Sequence, residues 1–354
     1  MDQRDKQQET PLNLDDTSSN EKKSRWFRNL IGYLIALACL VWVFYDIHIG
    51  KLWDDVTHIN WWLAILGIAF DILSYVSQGV RWEFLIRPIG KVSWLKATQA
   101  VYTGLFTNEI IPMRFGEMVR AYLVSRWISK SFVTILPSMF VERLFDGIWL
   151  AIMAGITVIL VPLPKDIVDS ADILGIAVII ATALFVYVVI RKRKALEKKA
   201  NIKPPRWKLL GFINRFIEHL ISGLQDIGFS RSFYMSFIVS FLIPALQAIS
   251  FWLVIKAYSI QLSFWAGAIV FLIVHIGTAI PNAPANVGTY QFFCVVGLTL
   301  FGVEKTLATG FSLVVFIILT IPIWALGFLA LSQSGTTLYK IRSQISHFIN
   351  TSKY

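Results

Sequence analysis

The chain has 354 residues, of which 56% are hydrophobic and only 16% are charged. Soluble domains carry about a quarter charged residues, so this composition excludes an ordinary soluble protein. Apolar residues form blocks that reach the ~20 residues needed to cross a ~30 Å hydrocarbon core. The net charge of +11 is then typical of cytoplasmic loops beside anionic lipid headgroups, and not of a nucleic-acid partner. The sequence predicts an all-α polytopic membrane protein.

Six long apolar segments are predicted to span the membrane. They lie at 28–47, 61–86, 132–161, 172–190, 231–257 and 305–331. Two further apolar regions, 95–128 and 262–302, are interrupted by proline, glycine and polar residues. Residues 1–24 are polar and of mixed charge, which predicts a disordered cytoplasmic tail, and 333–354 form a second cytoplasmic tail. The basic stretch 191–230 is predicted to be a linker with an amphipathic helix on the inner membrane surface.

The distribution of basic residues sets the predicted orientation. If the N-terminus is cytoplasmic and 95–128 does not cross the membrane, 28 of the 33 Lys and Arg residues lie on the cytoplasmic side. A single crossing by 95–111 would instead place the stretch RKRKALEKK, residues 191–199, outside. Two full crossings would need limbs of only about 15 residues, which is short for a span. We therefore expect a re-entrant hairpin, in a multi-pass protein of the inner (plasma) membrane with both termini in the cytoplasm.

The two interrupted regions occupy equivalent places in two units of similar length. Each unit is a span, an interrupted region and a second span, and the units define a first membrane half at 25–190 and a second at 231–332. An Ile-Pro pair lies at the tip of each interrupted region, at 111–112 and 280–281. The first unit begins outside and the second begins inside. This pattern predicts an inverted repeat of helix–re-entrant hairpin–helix units, as in carriers whose sites lie near the membrane midplane.

Seven charged residues are predicted to converge at one depth of the membrane. Four lie in the first interrupted region and three in the span that follows it: Glu109, Arg114, Glu117, Arg120, Glu142, Arg143 and Asp146. At 1.5 Å per residue Glu142 lies ~15 Å inside its helix, and Arg143 and Asp146, three residues apart, can pair. Ionisable groups at that depth usually face a bundle interior or a cavity. The alternative is an ion-pair cluster that only fixes the hairpin against the helix.

Two further ionisable side chains lie inside apolar segments. Asp71 is in the middle of the second span, where we expect it to be paired or to face a cavity. His275 lies near the tip of the second interrupted region. A buried neutral histidine is the ordinary expectation there, and a proton-sensitive group is the alternative.

The order of polar residues in and after the first interrupted region resembles a known family. The motif N-x-x-x-P-x-R-x-G-E-x-x-R runs from Asn108 to Arg120, E-R-x-x-D follows at 142–146, and a proline-rich loop ends in Gly288-Thr289. It resembles the flippase-like membrane domain of lysylphosphatidylglycerol synthases and their stand-alone relatives, over roughly 28–331. The resemblance implies an inner-membrane protein that moves or handles lipids with charged or modified head groups. In the best-known members the domain carries aminoacylated phosphatidylglycerol to the outer leaflet.

The chain departs from that family at two places. Only about 23 residues follow the last predicted span, where the synthases carry a large soluble aminoacyl-transferase domain. We therefore expect that the chain does not make lysylphosphatidylglycerol. The second loop has Pro284-Ala285 and Gln291 where relatives often have Pro-Gly and a glutamate, so the second hairpin carries almost no charge of its own.

The sequence predicts a lipid translocator with its site between the two hairpins. The expected substrate-binding residues are Asn108, Arg114, Glu117, Arg120, Glu142, Arg143, Asp146 and Gly288. The three arginines would hold a phosphate, because a guanidinium binds phosphate as a fork, and the carboxylates would orient them or hold an amine. The expected partners are membrane phospholipids with anionic or aminoacylated head groups.

No catalytic residue, metal or cofactor is expected, and no phosphate-binding G-x-x-x-x-G-K-[ST] motif for ATP-driven transport occurs. A membrane subunit or partner of an envelope lipid or glycolipid biosynthetic enzyme, and a small-solute permease, stay open as alternatives. A homo-oligomer also stays open.

Overall fold

The computed structural model describes residues 33–45, 57–111, 115–162, 230–279 and 284–335, together with seven isolated helical residues between 173 and 187. Within these ranges the chain is helical, and no strand occurs. The helices are α1 Tyr33–Phe44, α2 Trp61–Ile86, α3 Trp94–Ile110, α4 Gly116–Trp127, α5 Phe132–Leu160, α6 Arg231–Ala257, α7 Phe264–Gly277, α8 Thr289–Thr299 and α9 Lys305–Ser332. A single 3-10 turn, Pro284–Asn286, precedes α8.

Four helices, α2, α5, α6 and α9, are long and apolar enough to cross a membrane. Their bounds agree with four of the predicted spans to within one residue, and α1 occupies the centre of the predicted span at 28–47. The span predicted at 172–190 lies mostly outside the described residues, although the isolated residues there are helical. Apart from Ser230 and residues 333–335, the amphipathic linker and both tails lie outside them. The chain is therefore a multi-pass helical membrane protein.

Polar residues at the starts of four helices, α2, α3, α6 and α7, mark where these helices begin. Asn60 accepts hydrogen bonds from the backbone N–H groups of residues 62 and 63, at 3.1 and 3.4 Å. Ser93, Ser230 and Ser263 accept equivalent bonds at the starts of α3, α6 and α7. Such N-caps satisfy backbone donors that have no partner within the helix. The start of each of these four helices is thus set by a local signal in the sequence.

Both interrupted regions consist of two short helices separated by a break. In the first region the break falls between α3 and α4, and in the second it falls between α7 and α8. These four helices have 17, 12, 14 and 11 residues, and none reaches the ~20 residues of a full span. Asn108 closes the first break, because its side-chain oxygen accepts a 2.7 Å hydrogen bond from the backbone N–H of Gly116. We call these units the first and second broken pairs.

The two membrane halves exchange contacts in a reciprocal way. Two apolar cores are present: one, which includes Trp82 and Phe145, lies in the first half, and the other, which includes Phe251 and Phe311, is built mainly from the second half. The most extensive helix packing joins α2 to α6, the first long helix of each half. In addition α3 packs against α9, and α7 packs against α5. The first helix of each broken pair therefore contacts the last long helix of the opposite half.

The two helices of the first broken pair approach each other at glycines. A Cβ atom placed on Gly104 of α3 would lie 2.8 Å from the carbonyl oxygen of Gly116 in α4. Backbone cannot yield as a flexible side chain can, so only glycine fits this approach. Gly155 in α5 has nothing within 4 Å of the equivalent position. Gly104 and Gly155 therefore permit a matched test of the helix packing.

We predict that Gly104→Ala lowers the thermal midpoint of the purified protein and that Gly155→Ala raises it slightly. Alanine is favoured over glycine inside a helix by up to ~1 kcal/mol, and this gain is unopposed at Gly155. At Gly104 the collision with backbone outweighs it. Thermal unfolding in detergent measures both midpoints. A rise of the midpoint in both variants would contradict the close approach of α3 and α4.

Candidate functional site

Arg81 of α2 joins two carboxylates of α5. Its side chain is 1% exposed, and one guanidinium nitrogen lies 3.0 Å from Oε1 of Glu142. A second nitrogen pairs with Oδ1 of Asp146. Glu142 and Asp146 lie four residues apart and so share one helix face, which lets a single guanidinium bridge them. Arg81 thus connects α2 to α5 through both acids.

Arg120 of α4 supplies the second cation for Glu142. Its guanidinium pairs with Oε2 of Glu142, so that both oxygens of this fully buried carboxylate have a positive partner. The Arg120 guanidinium also stacks over the ring of Trp82, 4.7 Å from the ring centroid. The indole N–H of Trp82 in turn donates to the Ser138 hydroxyl at 3.0 Å. The second helix of the first broken pair is thereby attached to α2 and α5 through buried polar groups.

Arg143 forms the accessible end of the same set of charges. Its guanidinium pairs with Glu117 of α4 at 2.7 Å and with Asp146 at 3.3 Å. The Arg143 side chain is 52% exposed, against 30% for Glu117 and 24% for Asp146. The predicted pairing of Arg143 with Asp146 is confirmed. Arg143 is therefore a charge that a ligand can reach without dismantling the buried pairs.

The six charges form one continuous chain, which we call the ionic network. Its order is Arg120, Glu142, Arg81, Asp146, Arg143 and Glu117. Three positive and three negative groups leave it with no net charge. Moving single charges out of water costs several kcal/mol each, and the cost is offset only when partners are well placed. The ionic network meets that condition, because each of its buried charges is paired with an opposite charge.

The structure brings together five of the eight predicted binding residues. These are Glu117, Arg120, Glu142, Arg143 and Asp146. Arg114 lies outside the described residues. The expectation that Arg120 directly contacts a phosphate does not fit this conformation, because the side chain is 5% exposed and pairs with Glu142.

Asn108 and Gly288 shape the backbone at the breaks of the two broken pairs, and neither belongs to the ionic network. Asn108 bonds Gly116 across the first break. Gly288 has a backbone φ of +88° and no room for a side chain, because a Cβ atom there would meet backbone of Ala36 in α1. The Gly288 N–H donates to Oε1 of Gln291 at 2.7 Å. Gln291 thus caps α8 without adding a charge.

Arg81 was not among the predicted site residues, although it lies at the centre of the ionic network. It is five residues from the end of α2, where an arginine is typical of the cytoplasmic flank of a span. A charge count could have found it. The seven charged residues picked out from the sequence sum to −1, which indicates a missing cation in a region that must be neutral.

Glu109 lies apart from the ionic network. The indole of Trp324 in α9 donates a hydrogen bond to its carboxyl group, while Oε2 is buried without a hydrogen-bond partner among the described residues. The prediction that seven charges converge is therefore wrong for this residue. Glu109 faces the opposite half of the protein because α3 packs against α9.

The second broken pair also contacts the first half. His275, near the end of α7, lies close enough to Asp146 to interact with it electrostatically. The 3-10 turn Pro284–Asn286 packs against α3. Among the residues that the structure describes, no group of three or more His, Cys, Asp or Glu side chains is arranged to hold a metal ion. The described polar side chains of this region form ion pairs and hydrogen bonds.

Four helices of membrane-crossing length, two broken pairs and a buried ionic network define a polytopic membrane protein with an ionic centre inside its first half. The lysylphosphatidylglycerol synthase TM region family matches residues 29–327. The chain belongs to this family. The resemblance seen in the motif at 108–120 is thereby confirmed.

Relatives of this chain include membrane proteins of the same length and one longer protein. A UPF0104 membrane protein of Methanothermobacter thermautotrophicus is 25% identical over 92% of this chain and 98% of the relative. A second UPF0104 membrane protein of that organism is 23% identical over 75% and 86%. The glycosyltransferase AglD of Haloferax volcanii is 24% identical over 62% of this chain and 40% of its own length. The chain is similar to each of them.

We predict that Arg81→Met destabilises the protein far more than Arg87→Met. Removing one partner of a buried ion pair costs about 3–5 kcal/mol, because it leaves an uncompensated charge. Arg81 neutralises two acids, whereas Arg87 is 53% exposed and pairs only with Glu83. Exposed pairs contribute about 0–1 kcal/mol.

Unfolding of both variants in the same detergent, followed by circular dichroism, measures the difference. Equal stabilities of Arg81→Met and Arg87→Met would show that Arg81 does not organise the ionic network.

Proposed function

We propose that the protein is a lipid translocator that binds a charged head group at the exposed end of the ionic network. The observation that carries the proposal is the half-exposed Arg143, held by Glu117 and Asp146 deep in a membrane helix. Ionisable residues at such depth usually mark a substrate pathway. The acyl chains of the lipid would stay in the bilayer while the head group moves through the protein.

Binding at Arg143 would work by exchange of partners. The network has equal numbers of positive and negative groups, so a ligand that brings only negative charge would leave Glu117 without a cation. A head group with both a phosphate and an amine avoids that imbalance. Its phosphate would replace Glu117 on the guanidinium of Arg143, and the released carboxylate would accept the amine. Zwitterionic or aminoacylated phospholipids fit this chemistry better than purely anionic ones.

The broken pairs would provide the alternating access that translocation needs. Carriers with inverted repeats place broken helices around a central site and open it to one side at a time. Here the reciprocal contacts of α3 with α9 and of α7 with α5 support such an arrangement. Because His275 lies near Asp146, the second broken pair can interact electrostatically with the ionic network. The inverted repeat and the re-entrant insertion of both pairs are parts of this proposal.

A role in envelope lipid or glycolipid biosynthesis is the second candidate. The relative AglD is named a glycosyltransferase, and the matching part covers 40% of its length. Under this alternative, the membrane part would present a lipid-linked substrate to an enzyme. Both candidates require a lipid head group at the ionic network, and they differ in whether the head group then crosses the membrane.

We predict that Arg143→Gln slows the transfer of head-group-labelled phospholipid between leaflets by about tenfold or more. A hydrogen bond to a charged group contributes about 1.5–3 kcal/mol, and about 1.4 kcal/mol corresponds to a factor of ten. Proteoliposomes with labelled lipids and a membrane-impermeant quencher report the rate. The transfer rate of Arg143→Lys should lie between those of wild type and Arg143→Gln. Lysine keeps the positive charge but lacks the planar guanidinium that binds two oxygens at once.

Arg126→Gln is the matched control for this assay. Arg126 is exposed in the last turn of α4 and takes no part in the ionic network. Equal rates for wild type and Arg143→Gln with every phospholipid tested would rule out head-group binding there. Uptake of a soluble solute by wild type would identify a permease, and activity only with an added glycosyltransferase would favour the second candidate.

We predict that single cysteines at positions 113 and 285, in a chain whose Cys39 and Cys294 are replaced by serine, react slowly and each from one side only. A re-entrant tip is sheltered by protein, since exposed backbone is not tolerated in hydrocarbon. Impermeant maleimides added to either side of oriented vesicles measure the labelling. Free labelling of position 113 from the outside would mean that the first broken pair crosses the membrane fully.

A further inference from the structure

A second polar cluster lies in the bundle, apart from the ionic network. Its centre is Asp71 of α2, ten residues after the start of the helix and so ~15 Å along it. The side chain is buried, with 5% exposure of the residue. Its Oδ2 atom has no hydrogen-bond partner among the described residues, and no ion pair found in the described chain includes it. Asp71 therefore differs from Glu142, whose two oxygens both face guanidinium groups.

Tyrosines from three helices surround Asp71. Tyr75 of α2, Tyr102 of α3 and Tyr290 of α8 are each close enough to interact with it electrostatically. The rings of Tyr75 and Tyr102 meet edge to face, with their centroids 5.9 Å apart. Glu109, with its own buried unpaired oxygen, lies within the same electrostatic range of Tyr75. The two broken pairs contribute Tyr102 and Glu109 on one side and Tyr290 on the other.

Basic side chains on the helices packed against α2 are remote from Asp71. The two basic residues of α6, Arg231 and Lys256, lie at its ends, whereas Asp71 lies near the middle of the antiparallel helix α2. Arg81 is ten residues farther along α2, ~15 Å away, and already bridges two acids. The basic residue of α9 is Lys305 at its first position, and that of α3 is Lys96, exposed in its first turn. Arg143 of α5 is paired with Glu117 and Asp146. No cation in the described part of the bundle neutralises Asp71.

An ionised carboxylate buried without a partner is too costly to persist, and such groups bind a proton instead. A metal cation would need several free oxygen ligands. In the described part of the chain, no group of three or more acidic, His or Cys side chains is placed to supply them. A proton needs only the one unpaired oxygen that the site offers.

We propose that the Asp71 carboxyl group is a proton-binding site whose protonation and deprotonation drive the rearrangement of the two broken pairs. The carboxylate takes a proton from water on one side of the membrane and returns it to water on the other, with no other bond made or broken. Tyr102 and Tyr290 lie on helices that border the two breaks, so a change of charge at Asp71 acts on both broken pairs at once. The coupling to lipid movement rests on the proposed function, whereas the proton site itself does not.

The proton site is tested by infrared difference spectroscopy of the full chain in liposomes, recorded between acidic and alkaline buffer. We expect a carbonyl band of a protonated carboxylic acid that disappears with rising pH. Asp71→Asn should remove the component of this band that belongs to Asp71 and leave that of Glu109, whereas Glu83→Gln, a change on the same helix in a pair with Arg87, should leave the band unchanged. A band unchanged in Asp71→Asn, or one that responds to sodium and not to pH, would overturn the assignment.

The coupling is tested by imposing a pH gradient on proteoliposomes with labelled phospholipid. One proton per lipid would shift the ratio of label between the leaflets by up to about tenfold for each pH unit. Asp71→Asn should abolish this shift, and Glu83→Gln should keep it. If wild type moves no lipid, the proposed function fails and the infrared result alone decides the proton site. If wild type moves lipid with no response to the gradient, the coupling is overturned and the translocator stands.

Discussion

The pairing of Arg81 with Glu142 and Asp146 is the constraint on which the first half of the protein depends. In hydrocarbon there is no water to solvate a carboxylate, so α5 can carry two acids at this depth only if another helix supplies a cation. Arg81 fixes α2 against α5, and Arg120 then attaches α4 to the same carboxylate. The position of the first broken pair in the bundle therefore follows from charge neutrality as much as from apolar packing.

The ionic network changes character along its length. At the Arg120 end the side chains are dry and every carboxylate oxygen has a partner, which is the pattern of a structural clamp. At the Arg143 end the side chains are partly exposed, with 52% exposure for Arg143 and 30% for Glu117. The buried end fits the clamp that the sequence left open, and the proposed binding site lies at the exposed end.

Much of the fold could be predicted from the sequence, because long apolar blocks and polar N-caps are local signals. The bounds of four long helices follow from them, as does the pairing of Arg143 with Asp146 three residues later. Arg81 could not be found in this way. Its partners lie 61 and 65 residues farther along the chain, and no local period connects them.

The same limit explains why some predicted binding residues turn out to hold the breaks. Asn108 and Gly288 lie in motifs beside functional charges, and sequence patterns do not separate a residue that binds a ligand from one that shapes the backbone next to it. In the structure Asn108 caps the start of α4, and Gly288 lets the chain pass close to Ala36. Glu109 was misplaced for a related reason, since a helix end can face either of two neighbours.

The approach of Gly288 to α1 gives that helix a mechanical role. Near its N-terminal end α1 touches the second break at Ala36. At its other end the Lys305 ammonium group donates to the carbonyl of Tyr45 at 3.1 Å and lies over the ring of Trp42. Because α1 is attached at both points, it cannot move independently of the second half. In the proposed translocation, α1 would therefore move together with the second break and the start of α9.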